Sequence, residues 1–147
     1  MSKQFTLGKN ERLKSRKQIE KLFAEGKSFA VTPFRVYFIV NNLPMAIGGS
    51  MVNRSLQFGV GVSAKNFKRS VDRNRIKRLT REAWRLQKND PPFIGLKESL
   101  QASNKQLNVF FIYTAKERPD FASVKQKVTV ALKKLSDKVN ESDPANS

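Results

Sequence analysis

The fold is decided by residues 57–88, QFGVGVSAKNFKRSVDRNRIKRLTREAWRLQK, where a strand pattern changes into a helix pattern. Apolar residues at every second position of 57–63 predict a strand with one buried face, and residues 70–88 follow the helical period. Gly59 and Gly61 leave the other face of this strand bare. Alternate glycines mark close approach by a ligand or another backbone, or else a bulge or tight packing contact, and both interpretations stay open here.

The helix predicted at 70–88 has an apolar side and a cationic side. At about 100° per residue, four apolar residues fall opposite the basic ones: Ile76, Leu79, Ala83 and Leu86. Trp84 falls at the edge of the basic sector, where packing against a neighbouring loop is favoured over stacking on a base. The core therefore lies on one side of this helix, and the other side is available to a partner.

Basic residues dominate the segment 65–88, where only Asp72 and Glu82 oppose them. Ten positions are basic: Lys65, Lys68, Arg69, Arg73, Arg75, Lys77, Arg78, Arg81, Arg85 and Lys88. Like charges one turn apart destabilise an isolated helix by a few tenths of a kcal/mol per pair, so a purely positive side needs another reason to exist. Phosphate binding is favoured over an ordinary solvated face, because arginine can hold phosphate oxygens with two hydrogen bonds.

The composition narrows the class of partner. With 29 Lys and Arg against 12 Asp and Glu, the 147-residue chain carries a formal net charge of +17, which calls for a polyanion such as RNA or DNA. An anionic membrane is disfavoured because no apolar run approaches the roughly 20 residues that span a bilayer, and the first residues lack a secretion signal. The absence of Cys fits the cytoplasm, and the absence of His removes the commonest general base and metal ligand.

The remaining patterns predict a single α+β domain over residues 1–139. A first helix follows Ser15 as N-cap and ends at Gly26, and a last helix begins at Asp120. A polar tail at 140–147 is predicted to be disordered. Four further segments are assigned by pattern: a strand at 34–40, a loop at 41–56, a loop at 91–105 and a central strand at 107–113. The order helix, strand, strand, helix, strand, helix predicts a two-layer α/β sandwich with helices on a mixed sheet.

The stretch GVGVSAKNFKRSVDRNRIKRLTREAW at 59–84 resembles the signature of the bacterial ribonuclease P protein subunit. Its core is the triplet Arg73-Asn74-Arg75, and the similarity extends in order over about residues 10–138. The resemblance implies a ribosomal-protein-like α/β sandwich with a left-handed βαβ crossover, against the general preference for right-handed ones. It also implies that an RNA subunit is the catalyst. Mg²⁺ would then be bound through that RNA, with no cofactor, metal ligand or catalytic side chain in this chain.

Two binding surfaces follow from the resemblance. The helix surface for the catalytic RNA comprises Lys65, Lys68, Arg69, Arg73, Asn74, Arg75, Lys77, Arg78, Arg81 and Arg85. A cleft between the first helix and the sheet, for the 5′ leader of precursor tRNA, comprises Arg12, Lys14, Phe23, Arg35 and Tyr37. Phe23 and Tyr37 offer rings for stacking on leader bases, although core packing explains Phe23 equally well. Ile19 stands where many family members carry Phe, which weakens one stacking platform.

Three other functions fit part of the pattern. A ribosomal-type RNA-binding module would share the charge, but it need not carry the Arg-Asn-Arg triplet after this strand. A protein-only nuclease needs clustered carboxylates to hold metal ions, whereas the acidic residues here are dispersed. A helix-turn-helix transcription factor is disfavoured because the helix is basic over too many turns and no dimerising heptads follow it. The sequence therefore predicts ribonuclease P RNA and precursor tRNA as partners, and neither DNA nor a membrane.

Overall fold

The structure, a computed structural model, describes residue 13 and residues 16–42, 56–88 and 90–141. The elements in chain order are α1 (Arg16–Glu25), β1 (Lys27–Val31), β2 (Phe34–Asn42), β3 (Leu56–Val62), α2 (Ser70–Arg85), α3 (Pro91–Ala102), β4 (Lys105–Tyr113) and α4 (Phe121–Glu141). The predicted N-cap Ser15, most of the predicted loop at 41–56 and the end of the predicted tail lie outside the described residues. α4 extends past the predicted domain boundary at residue 139.

Within the described residues, the four strands form one mixed sheet in the order β1-β2-β4-β3. β2 is antiparallel to both β1 and β4, and β3 runs parallel to β4. Parallel neighbours need a long crossover connection, which α2 and α3 provide between β3 and β4. β4 lies inside the sheet, as its apolar sequence predicts. The left hand of the crossover stays a prediction.

One face of the sheet, named here the inner face, packs against α2, α3 and α4. Alternate residues of three strands are buried there: Phe34, Val36, Phe38, Leu56, Phe58, Val60, Leu107, Val109, Phe111 and Tyr113. The apolar side of α4 packs against them with Val124, Val128, Leu132, Leu135 and Val139. Burial of apolar surface at roughly 25 cal/mol per Å² is the main force that holds the two layers together. The predicted two-layer α/β sandwich is confirmed.

The prediction of a loop at 91–105 is wrong, because α3 occupies most of that segment. Its two prolines stand at the first helical positions, where a backbone N–H has no acceptor within the helix, so they begin a helix instead of excluding one. Three residues along one side of α3 are buried: Phe93, Leu96 and Leu100. Ile94 and Gly95 are exposed and interrupt the helical period of apolar residues, so the sequence pattern does not indicate this helix.

The short edge strand β1 was also not predicted. It forms a hairpin with β2, in which Phe29 pairs with Val36 and Val31 pairs with Phe34, and the connecting Thr32-Pro33 peptide bond is cis. Only Phe29 and Val31 of β1 face the core side, so the apolar alternation is too short to identify a strand. The observed order is therefore helix, three strands, two helices, strand and helix.

The predicted C-terminal end of α1 and the predicted start of α4 are confirmed. The N–H of Gly26 donates to the carbonyl oxygen of Leu22 at 2.8 Å, which closes the last turn of α1. A Cβ at Gly26 would lie 2.8 Å from the carbonyl oxygen of Phe38, so only glycine lets α1 end this close to β2. At the start of α4, the Asp120 carboxylate accepts a hydrogen bond from the N–H of Ser123 at 2.8 Å.

Candidate nucleic-acid interface

The cationic surface lies on α2 and on the loop 63–69 that leads into it. Asn74, Arg75, Arg78 and Arg81 are exposed along α2, and Lys77 and Arg85 are half-buried beside them. The loop contributes three more exposed cations. We name the whole surface the α2 ridge: Lys65, Lys68, Arg69, Asn74, Arg75, Lys77, Arg78, Arg81 and Arg85. The fold thus brings together every predicted RNA-binding residue except Arg73.

Arg73 occupies a different position from the one predicted. Its Nη1 donates to the carbonyl oxygen of Phe67 at 2.8 Å and to that of Lys68 at 2.9 Å. The residue is half-buried, while Asn74 and Arg75 beside it are exposed. The centre of the exposed surface on α2 is therefore Asn74, Arg75, Arg78 and Arg81 instead of Arg73.

The buried side of α2 is rotated from the one that the helical wheel placed in the core. Its buried residues are Ile76, Thr80, Ala83 and Trp84, whereas the predicted core residues Leu79 and Leu86 are only half-buried. Burial of Thr80 leaves no unpaired hydroxyl donor, because its hydroxyl donates to the carbonyl oxygen of Ile76 at 2.8 Å. Because Thr80 is polar, the helical wheel did not count it on the apolar side, and the predicted buried side was therefore rotated away from the observed one.

Trp84 belongs to the core and not to the edge of the basic sector. It is 1% exposed, and its indole lies against the ring of Phe58, with 4.3 Å between centroids. Phe93 of α3 contacts it edge-on at 5.4 Å. The packing interpretation is confirmed, although the partners are a strand and a helix instead of a loop. Trp84 therefore has no face available to a nucleobase.

Both acidic residues of the basic segment are ion-paired. Glu82 Oε1 lies 3.0 Å from Arg85 Nη2, and Asp72 Oδ1 lies 3.0 Å from Arg118 Nη2. Ion pairs at the surface contribute little stability, but these two neutralise the only acids between residues 65 and 88. Arg118 follows β4 in the chain, so no local pattern associates it with α2. Tertiary folding adds this cation to the N-terminal end of the ridge.

An aromatic cluster lies on the outer face of the sheet, which is the face turned away from α2, α3 and α4. Phe23 of α1 meets Tyr37 of β2 edge-on at 4.9 Å between ring centroids, and it meets Phe110 of β4 at 5.4 Å. Phe23 is 43% exposed, so plain core packing does not describe it. The predicted pair Phe23 and Tyr37 is brought together, and Phe110 joins it.

Phe110 was not among the predicted site residues, although a signal was present. In the strand pattern at 107–113, Phe110 alternates with the buried side chains and so points to the outer face. Its ring lies across the bare glycines of β3: a Cβ at Gly59 would be 2.8 Å from it, and one at Gly61 would be 3.0 Å from it. The tight-packing interpretation of these glycines is confirmed.

Of the other three predicted cleft residues, the structure describes Arg35 alone. Arg35 is exposed on β2 and shares the outer face with Tyr37, as the alternation predicts. Arg12 and Lys14 lie outside the described residues. Leu13 between them is buried, and its N–H donates to the carbonyl oxygen of Phe58 at 2.9 Å, so the chain passes along the edge of β3 here.

The two surfaces offer different non-covalent chemistry. Guanidinium and ammonium groups on the α2 ridge suit phosphate oxygens, and the rings on the outer face suit unstacked bases. Among the described residues, no group of three or more His, Cys, Asp or Glu side chains is arranged to hold a metal ion. No helix in the described ranges has the length and apolar character to cross a membrane.

Comparison with protein families gives a match to the family described as Ribonuclease P over residues 7–136. The chain is 36% identical over 138 residues to the ribonuclease P protein component of Porphyromonas gingivalis, across 94% of this chain and 92% of that protein. It is 34% identical over 83 residues to the protein of the same name from Nitrosococcus oceani, across 56% of this chain and 61% of that protein. The region matched by the family contains both the α2 ridge and the aromatic cluster.

Solved structures show the same architecture. The RNase P protein from Thermotoga maritima superposes with a TM-score of 0.58 at 27% identity, over 84% of this chain and 96% of that one. The RNase P protein of Staphylococcus aureus gives a TM-score of 0.53 at 22% identity, over 84% of this chain and 93% of that one. The second likeness concerns the fold alone.

Proposed function

The chain belongs to the ribonuclease P protein family, and on that premise we propose that it binds a catalytic RNA and the 5′ leader of precursor tRNA. As the protein component of an endoribonuclease, it would assist removal of the leader to give the mature 5′ end of tRNA in the cytoplasm. The observation that carries the proposal is the α2 ridge, a nearly continuous cationic surface; the two acids within residues 65–88, Asp72 and Glu82, are both ion-paired.

The α2 ridge is assigned to the catalytic RNA. Arg75, Arg78 and Arg81 project from successive turns of one helix, which suits a row of backbone phosphates. Asn74, exposed among them, is able both to donate and to accept a hydrogen bond at a ribose or a base edge. Such a surface binds mainly through charge, so its affinity depends steeply on salt concentration.

The outer face is assigned to the single-stranded leader. Phe23 is exposed beside Tyr37, and a stacked base gains roughly 1–3 kcal/mol from each such ring. Arg35 on the same face suits the leader backbone. Because stacking tolerates any base, this cluster suits a leader whose sequence differs from one tRNA precursor to the next.

Cleavage itself is assigned to the RNA subunit, whose bound Mg²⁺ would supply the activated water. No side chain of this protein is given a catalytic role, and no cofactor is assigned to it. Its contribution is binding energy: it neutralises phosphate repulsion between the catalytic RNA and the substrate, and it holds the leader. Lower Mg²⁺ should then suffice when the protein is present.

The test is cleavage of precursor tRNA at low Mg²⁺ by the protein alone, by a bacterial ribonuclease P RNA alone, and by both together. We expect cleavage to be stimulated only in the mixture, and to fall when Arg75 and Arg78 are both changed to Ala. Lys133→Ala, an exposed site on α4 outside both surfaces, is the matched control and should leave stimulation intact. Cleavage by RNA-free protein would contradict the assignment of catalysis to RNA. Tight RNA binding without stimulation would favour a ribosomal-type binding module.

A further inference from the structure

Arg73 differs from the cations that surround it, because its guanidinium is bound to its own chain. The same Nη1 atom donates to two consecutive backbone carbonyls, those of Phe67 and Lys68, at 2.8 and 2.9 Å. Hydrogen bonds from a charged donor are about twice as strong as neutral ones. Arg73 Nη1 is thus bound to the loop, and rotating the whole guanidinium toward a phosphate would break both bonds.

The loop 63–69 that Arg73 holds carries Lys65, Lys68 and Arg69 of the α2 ridge. Its other side is tethered to the end of β4, where Asn66 Nδ2 donates to the carbonyl oxygen of Thr114 at 3.1 Å. Phe67 anchors the middle of the loop: it is 7% exposed, and its ring centroid lies 6.0 Å from that of Tyr113. Arg73 provides the tether on the α2 side, so the direction of the loop cations depends on it.

We propose that Arg73 is a positioning residue, which fixes loop 63–69 so that Lys65 and Lys68 reach RNA phosphates, and that it binds no phosphate itself. The inference rests on the proposed RNA-binding function. It departs from the family assignment, in which Arg73 faces the RNA together with Asn74 and Arg75. Proximity in sequence makes the three residues look equivalent, whereas their burial and hydrogen bonds separate Arg73 from the other two.

A double-mutant cycle on binding of the catalytic RNA tests the proposal. Arg73→Met keeps an unbranched apolar side chain but removes the guanidinium with its donors and its charge, and it is measured alone and together with Lys65→Ala and Lys68→Ala. A residue that acts only through Lys65 and Lys68 loses its effect once both lysines are absent. We expect Arg73→Met to lower affinity about as much as the double lysine variant, and to add less than twofold on top of it. Arg78→Met, an exposed ridge residue, should lower affinity by the same factor in both backgrounds.

The loop itself provides a second readout that does not depend on RNA. In free protein, trypsin should cleave after Lys65 and Lys68 about tenfold faster in Arg73→Met than in the unchanged protein, because the charge-assisted tether is lost. Arg78→Met should leave that rate unchanged. Circular dichroism establishes that each variant is folded. Asn66→Ala offers an independent loosening of the same loop: it removes no charge, yet it should also weaken RNA binding.

The outcomes separate the two proposals. If the unchanged protein does not bind the catalytic RNA with a steep salt dependence, the proposed function fails. If it binds, and Arg73→Met weakens affinity equally with and without the two lysines, Arg73 contacts phosphate and only the positioning role is overturned. The slope of log affinity against log salt concentration gives a second criterion, because each neutralised phosphate contributes about one to it. If Arg73→Met reduces this slope by about one in the background that lacks both lysines, the positioning role is also overturned.

Discussion

The indole of Trp84 lies nearly parallel to the ring of Phe58, with 11° between their planes and 4.3 Å between their centroids. This contact joins α2 to β3 and sets the rotation of the helix about its axis. With Trp84 turned into the core, Asn74, Arg78 and Arg81 are turned outward on the α2 ridge. The side of the helix that carries the α2 ridge is therefore decided by an aromatic pair on its other side.

Removing the indole should destabilise the protein severely. Trp84→Ala is expected to lower the free energy of unfolding by about 3–5 kcal/mol, since a large buried side chain leaves a cavity. Urea unfolding followed by circular dichroism measures the change. Val71→Ala is the control on the same helix, because Val71 is 67% exposed; its effect should stay within about 0.5 kcal/mol. A loss below about 1 kcal/mol for Trp84→Ala would show that the contact does not support the core.

Changing Phe23 should affect leader binding without affecting the rest of the substrate. Phe23→Ala is expected to weaken binding of precursor tRNA to the assembled enzyme by roughly 1–3 kcal/mol, because one stacking platform is lost. Binding of mature tRNA, which lacks a leader, is the control and should not change. Equal losses for both substrates would point to a structural effect of the substitution, and would argue against a role of the outer face in leader binding.

Two glycines should respond to alanine in opposite directions. A Cβ at Gly59 would lie 2.8 Å from the Phe110 ring, so Gly59→Ala should displace that ring and cost roughly 1–3 kcal/mol of folding stability. A Cβ at Gly95, an exposed position on α3, meets nothing within 4 Å, so Gly95→Ala should raise stability by roughly 0.5–1 kcal/mol. Thermal or urea unfolding of both variants and of the unchanged protein measures these two changes in stability. Tolerance of Gly59→Ala would mean that the ring does not rest on β3.

Alkaline pH should reduce stability through Tyr113. Burial, together with the nearby Glu117 carboxylate, raises the pKa of the Tyr113 hydroxyl above its usual 10.0 in the folded protein. Its hydroxyl donates to the backbone carbonyl of Glu117. The folded state therefore retains this proton more tightly than the unfolded state. The resulting stability is complete below about pH 10 and is lost as pH rises through the folded-state pKa.

The measurement is the urea midpoint across alkaline pH for the unchanged protein and for Tyr113→Phe. The variant should be less stable at neutral pH, because a hydrogen bond is lost, but it should show a shallower decline above about pH 10. Tyr37→Phe is the control, since the chain has 2 Tyr, and it should keep the steeper decline. Parallel curves for all three proteins would show that Tyr113 does not contribute to the pH dependence.

The sequence by itself determined the elements whose signal is local. Alternation in β2 and β4, the stop at Gly26 and the cap at Asp120 depend on neighbours along the chain, and all are confirmed. The basic character of α2 belongs to this group as well, whereas the meeting of Phe23 and Tyr37 was expected only through the family resemblance. Periods of two and 3.6 residues identify a face without any knowledge of what covers it.

Tertiary structure alone decided the features that depend on distant partners. β1 exists as a strand because β2 pairs with it, and α3 is a helix that packs against α4 and β4. The rotation of α2 follows from Phe58, and the addition of Arg118 to the ridge follows from an ion pair with Asp72. Arg73 shows most clearly what the sequence does not reveal. It is held by backbone carbonyl groups, and every residue has one, so no sequence pattern marks the two that bind it. A sequence identifies side chains, whereas the positions of backbone acceptors are known only once the chain has folded.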